Sequence, residues 1–229
     1  MILYFILPVT ITYFGKRSLM KPQEIEDLSF QIIEKEAGNH GFDERHWPVV
    51  RRMIHTSADF DYIDTIRFGS NAVEKGIAAI QRGCSLFTDT NMARVGIRKA
   101  EIAHFGGMVS CLMTDPDVAA RAAADNTTRA LAAVDLAADR MENGIYVVGN
   151  APTALLRLIQ LIKEGKADPA LVIGLPVGFV NAAESKQALM SLDTPYITNA
   201  GRKGGSNVAA AVVNALAIMA YETAVHGNP

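Results

Sequence analysis

Five histidines occur in the chain, and one stands where chemistry could be done. His55 ends an amphipathic stretch, directly after Arg51-Arg52-Met53-Ile54. Imidazole titrates near neutrality and suits a general acid or base. The same position would also suit a helix-end histidine with no role. His40 and His46 lie in polar, turn-like surroundings and read as solvated. His104 precedes Phe105-Gly106-Gly107 and could be packed, capping or functional, and His226 lies near the C-terminus. No carboxylate–His–Ser pattern supports a hydrolase triad. No two histidines stand three to five apart on a convincing helix, so no zinc pair is read and no metal site is expected.

Several glycine-bearing segments could hold an anion. Gly149-Asn150-Ala151-Pro152-Thr153 follows an apolar run and opens a helical pattern. Its glycine permits a tight turn and close backbone approach, and the free N–H groups near Thr153 would attract an anion. A plain strand-to-helix turn has the same sequence. Gly174 and Gly178 bracket a second loop that runs into Glu184-Ser185-Lys186 at another helix start. These residues either receive a ligand or solvate the turn. Gly201-Arg202-Lys203-Gly204-Gly205-Ser206 joins two cations and three glycines to a third helix start. That is either a carboxylate or phosphate cradle or a solvated basic turn. The order of Gly, Lys and Ser is wrong for a Walker A loop. Asp89 and Asn91 could cap a helix or touch a ligand, and Arg129, near a helix start, reads locally as a surface residue.

These segments are positioned by a regular alternation. Pro22 opens a helical pattern with Ile25, Leu28, Ile32 and Ile33 at helical spacing. Gly38 and Gly41 close it, and Asp43 can cap a second helix running to His55. Short continuous apolar runs follow: Ile66–Phe68, Ser85–Thr88, Val109–Met113, Ile145–Val148, Leu171–Ile173 and Tyr196–Thr198. Helical stretches lie between them near Asn71–Gln81, Asp117–Glu142, Thr153–Lys163, Ala182–Ser191 and Ser206–Ala220. Strict alternation of this kind predicts an α/β fold, a mainly parallel sheet with helices on both faces. In such folds ligands bind beyond the carboxyl ends of the strands. The glycine-bearing segments all fall there.

The chain has 229 residues, about half of them apolar, and a formal net charge of −2. It can build a sizeable core and carries no global positive field for nucleic acid. Anionic ligands must be held by local groups. Cys84 and Cys111 form neither a disulfide framework nor metal-ligand spacing, which fits reduced thiols in a cytoplasmic protein. Met1–Phe14 is almost wholly apolar, with Lys16 and Arg17 after it. The run is shorter than the roughly 20 residues that span a bilayer, and its basic residues are on the wrong side for a secretory signal. Residues 1–19 read as an N-terminal extension, and 20–229 as one domain.

Five segments carry a resemblance to a known family: Lys21–Phe30, Arg51–His55, Gly149–Ala154, Pro176–Lys186 and Gly201–Ser206. In this order and spacing they resemble the precorrin-8X methylmutases, also called cobalt-precorrin-8 methylmutases. The likeness covers Pro22 to Ala220, and the run from Pro176 to Lys186 is its most specific part. It implies a flavodoxin-like, three-layer α/β/α fold and a homodimer. It also implies an isomerase of cobalamin biosynthesis that moves one methyl group on a corrin-type tetrapyrrole. No redox or methyl-donor cofactor is needed for that. By resemblance, His55 is the proton donor and acceptor, Ser29 and Arg52 contact substrate, and a family arginine falls on Arg129. The substrate is a large apolar ring with several carboxylate arms. Arg52, Arg129, Arg202, Lys203, Lys186 and the helix starts at Thr153, Ser185 and Ser206 are the groups expected to bind it.

Overall fold

The computed structural model describes residues 21–138 and 140–227. The extension proposed for residues 1–19 lies outside them. The first helices are α1 (Pro22–Ala37), α2 (Trp47–Ser57) and the single turn α3 (Tyr62–Thr65). Then come β1 (Ile66–Phe68), α4 (Ala72–Gln81), β2 (Ser85–Thr88), α5 (Asn91–Gly96), α6 (Lys99–His104) and β3 (Met108–Ser110). A 3₁₀ turn at Leu112–Thr114 leads to α7 (Pro116–Ala124), α8 (Arg129–Ala138), β4 (Ile145–Val148) and α9 (Pro152–Lys163). The chain continues through β5 (Leu171–Gly174), α10 (Ala182–Met190), β6 (Tyr196–Asn199) and α11 (Ser206–His226).

The six strands form one sheet in the order β1-β6-β5-β4-β2-β3. All pairings are parallel except β1 with β6. Strands β3-β2-β4-β5-β6 follow the flavodoxin order, and β1 is added antiparallel at the edge. Strand direction alternates the side chains between two cores. Ile145, Val147, Leu171 and Ile173 face the layer of α2, α4 and α11, and Tyr146, Val148 and Val172 face α8, α9 and α10. The result is the three-layer α/β/α arrangement. Helix α11 is long and apolar enough to cross a membrane, but 56% of that window is buried inside the protein. It packs on α2, α4 and α5 and is the principal core helix of its layer.

Three local expectations are corrected. The single helix expected over Asp117–Glu142 is two, α7 and α8, because Asn126 adopts a left-handed φ of 47° and breaks the run. The strand expected over Val109–Met113 ends at Ser110, and the chain turns into the 3₁₀ segment. The short helices α5 and α6 were not foreseen. Thr90 caps α5 by accepting the N–H of Ala93 at 3.1 Å. In α1 only Ile33 is buried, and Ile25, Leu28 and Ile32 are about half exposed. This helix packs on α2, and among the described residues no further layer lies over it.

Candidate active site

Helix α2 carries Arg51, Arg52 and His55 on consecutive turns, and α1 lies across them. Phe30 of α1 joins the three. The Arg51 and Arg52 guanidinium carbons stand 4.2 and 5.2 Å from its ring centroid. The His55 ring meets it edge-on at 5.2 Å. Cations over an aromatic face are attracted by the ring quadrupole, so Phe30 fixes where both arginines point. Arg51 donates to Glu34 at 2.8 Å, and Arg52 donates to Glu26 at 2.6 Å. Phe30 was part of a motif in the sequence but was not singled out for a role. Only the crossing of α1 over α2 reveals it.

His55 is exposed and borders two cavities. One, of about 360 Å³, is mainly apolar and includes Ser29, Ile32, Ile54, Ala58 and Phe60. The other, of about 190 Å³, includes Arg52, Thr56, Asn207 and Asn214 against Gly96, Ala210 and Ala211. Ser29 and Arg52 therefore come together with His55, 26 and 3 positions away in sequence. The Ser29 hydroxyl donates to the Ile25 carbonyl at 2.7 Å, which leaves its oxygen lone pairs facing outward to accept. Two of the remaining histidines are otherwise engaged. His40 stacks on Trp47 with centroids 3.6 Å apart, and His46 bonds Asp43 through Nδ1 at 2.7 Å. Both are half-buried packing residues, which corrects the reading of them as solvated.

At the carboxyl ends of the strands the loops are braced to one another. The switch point between β2 and β4 is filled by Asp89, only 3% exposed. Its carboxylate accepts the N–H groups of Gly149, Asn150 and Ala151 at 2.9, 2.8 and 2.7 Å. Burial raises the Asp89 pKa above the usual carboxylate value, against the lowering effect of those bonds. The anion held before the start of α9 is thus internal. Thr153, expected as a ligand contact there, is exposed at the second residue of α9. Ser206 is 7% exposed, and its hydroxyl bonds that of Thr90 at 2.8 Å.

Two expected contacts are corrected. Ser185 and Lys186 are fully buried. The Ser185 hydroxyl donates to the Ala182 carbonyl at 3.0 Å. Lys186 Nζ donates to the Lys203 carbonyl at 2.6 Å and to Asn199 Oδ1 at 3.0 Å. Burial depresses its pKa to about 8. This lysine braces the 201–206 loop from inside. Lys203 is not a free cation either, since its ammonium touches Asp59 at 2.6 Å and Asp61 at 2.5 Å. Both hydrogen bonds raise its pKa. Arg202 is exposed, 5.7 Å from the ring of the exposed Phe179. Arg129 opens α8 on the helical layer opposite α2, so one chain does not bring it to His55.

The profile described as precorrin-8X methylmutase matches residues 24–219. The chain belongs to the precorrin-8X methylmutase family. A cobalt-precorrin-8 methylmutase from Priestia megaterium is 48% identical over 201 residues, covering 88% of this chain and 89% of that protein. One from Salmonella typhimurium is 45% identical, covering 86% and 95%. A crystal structure of precorrin-8X methyl mutase from Thermus thermophilus superposes with a TM-score of 0.81 at 46% identity, covering 88% and 99%. Membership makes this methylmutase an isomerase of cobalamin biosynthesis, an enzyme that transfers a group within one molecule. The matched span contains both cavities, Phe30, His55 and every braced loop.

Proposed function

We propose that the chain moves a methyl group from carbon eleven to carbon twelve of ring C on precorrin-8X or cobalt-precorrin-8. His55 is the proton donor and acceptor. The product is hydrogenobyrinate, or cobyrinate where cobalt is present. The observation that carries this reading is the meeting of His55, Ser29 and Arg52 around two adjoining cavities in a chain of this family. The carbon–methyl bond breaks and re-forms within one substrate, so no methyl donor is consumed. Protonation of a ring nitrogen, or a hydrogen bond to it, redistributes the macrocycle's electrons and lets the methyl migrate. His55 gives that proton and recovers it, leaving the enzyme unchanged. Such help is typically worth about 10²–10⁴-fold. The apolar cavity suits the ring, and Arg52 suits its anionic periphery.

The cobalt form is supported by the names of the Priestia and Salmonella relatives, and by the Lys21-Pro22-Gln23-Glu24-Ile25-Glu26 opening. We further propose a cytoplasmic homodimer. The exposed row Ile25, Leu28 and Ile32 on α1 supports it, being an apolar stripe that none of the described residues covers.

The test is an absorption time course of purified protein with precorrin-8X and with cobalt-precorrin-8, alongside His55→Ala. The methyl shift alters the conjugated path, so conversion changes the spectrum. Conversion by wild type and not by the variant supports both the reaction and the residue. Binding without conversion by either would instead mean a corrinoid-binding protein of the same fold.

A further inference from the structure

The two cavities beside His55 differ in size and chemistry. Ligand pockets for whole small molecules run from about 300 to 1,000 Å³. The polar cavity, about 190 Å³, falls below that range and fits a substituent better than a macrocycle. Gly96, Ala210 and Ala211 line one side of it with almost no side chain, which leaves the space open. Its back is pinned by Asn214, which accepts the Arg98 N–H at 2.8 Å and donates to the Gly96 carbonyl at 3.0 Å. Both ends of that amide are thereby engaged by the protein.

Arg52 and Asn207 keep donors to offer. Glu26 takes one Arg52 nitrogen, and the other guanidinium N–H groups have no protein partner among the described residues. Glu26 itself lines the neighbouring groove and not this cavity. Asn207 is exposed, and its side chain makes no hydrogen bond among the described residues. It is the second residue of α11, where the helix dipole favours negative charge. A carboxylate accepts about four hydrogen bonds, and a guanidinium with an amide can supply that number.

We propose that this cavity is a carboxylate subsite, in which Arg52 and Asn207 hold one peripheral arm of the substrate while the ring lies on the apolar side of His55. The inference rests on the corrinoid reading above and adds Asn207 to it. It also gives His55 a reason to stand between the cavities. An arm anchored on one side sets which edge of the ring the imidazole meets on the other.

The experiment is an absorption titration of the full chain with hydrogenobyrinate, and with hydrogenobyrinate whose carboxylates have been converted to amides. Asn207→Ala should weaken the acid by about tenfold, the worth of one charge-assisted hydrogen bond. Asn207→Asp places a like charge at the arm and should weaken it by about a hundredfold at low salt, less at high salt. The amidated ligand should bind Asn207→Asp and wild type within about threefold of each other. An exposed residue can be changed without unfolding, and a thermal melt of each variant checks this. Wild-type affinity for the acid in Asn207→Asp would overturn the subsite and leave the corrinoid reading standing. Failure of the wild type to bind either ligand would overturn both.

Discussion

The carboxylate of Asp89 accepts the backbone N–H of Gly149 at 2.9 Å, across 60 positions of sequence. With Asn150 and Ala151 it completes a three-donor cradle at the switch point of the sheet, where this fold class commonly binds ligands. The chain supplies its own anion there, and the site proposed for the corrinoid lies instead beside α2 and α11.

Asp89→Ala would leave these N–H groups without an acceptor. A loss of about 3 kcal/mol is expected, since each buried donor left unpaired costs about 1–3 kcal/mol and such costs are not additive. Asp89→Asn keeps one acceptor oxygen and should lose less. Urea unfolding curves give both values. A change below about 0.5 kcal/mol for Asp89→Ala would show that the cradle contributes little.

Gly149→Ala tests the neighbouring contact. A Cβ at this position would lie 2.6 Å from Ser206 Cα and 2.9 Å from Ser206 N. Both are backbone atoms at the start of α11 and cannot swing aside. A loss of roughly 2 kcal/mol is expected from overpacking. Because α11 carries Asn207, product affinity should fall as well. A variant as stable and as tight-binding as wild type would contradict the close approach.

Lys186 should make stability depend on pH. Folded, it loses its proton near pH 8, and unfolded near 10.5. Between those values the unfolded chain binds more protons, so stability rises with pH. Below pH 8 both forms are protonated and this dependence vanishes. The rise should reach about 2 kcal/mol at most, since the bonds from Nζ to the Lys203 carbonyl and Asn199 favour the charged form. Lys186→Met should abolish it and also release the Lys203 carbonyl and Asn199. Thermal melts of both proteins from pH 7 to 10.5 measure the difference. Parallel curves would exclude a buried titrating lysine.

His55 and Ser29 should separate by kinetics. His55→Ala is expected to lower the conversion rate by about 10²–10⁴-fold while product affinity stays near wild type. Ser29→Ala should raise KM by about fivefold to tenfold with a smaller effect on kcat, as for one neutral hydrogen bond. A His55→Ala enzyme with full kcat would remove the proposed proton transfer.

Much of the fold was legible in the sequence for a local reason. Ile145–Val148 and Leu171–Gly174 are short apolar runs bounded by turn residues, and central parallel strands must be apolar on both faces. Helices α4 and α9 show their 3.6-residue period over ten and twelve residues. Helices α5 and α6 span six residues each, too short for that period to register. The motifs around His55, Gly149 and Gly201 likewise identified the family from local order and spacing alone.

Tertiary structure decided which polar groups are free. Ser185, Lys186 and Lys203 have the types of residue that bind carboxylates, yet two are buried and the third is held by Asp59 and Asp61. Asn207 has the least distinctive local sequence of the set, yet it opens into a cavity beside His55. A side chain's burial and partners depend on segments far away in the chain, such as Asn199 for Lys186 or α1 for Arg52. Local sequence therefore determined the strands, the helices and the family, because propensity and periodicity are local. The packing of α1, α2 and α11 determined the site, because hydrogen bonds and desolvation are set by whatever the fold brings near.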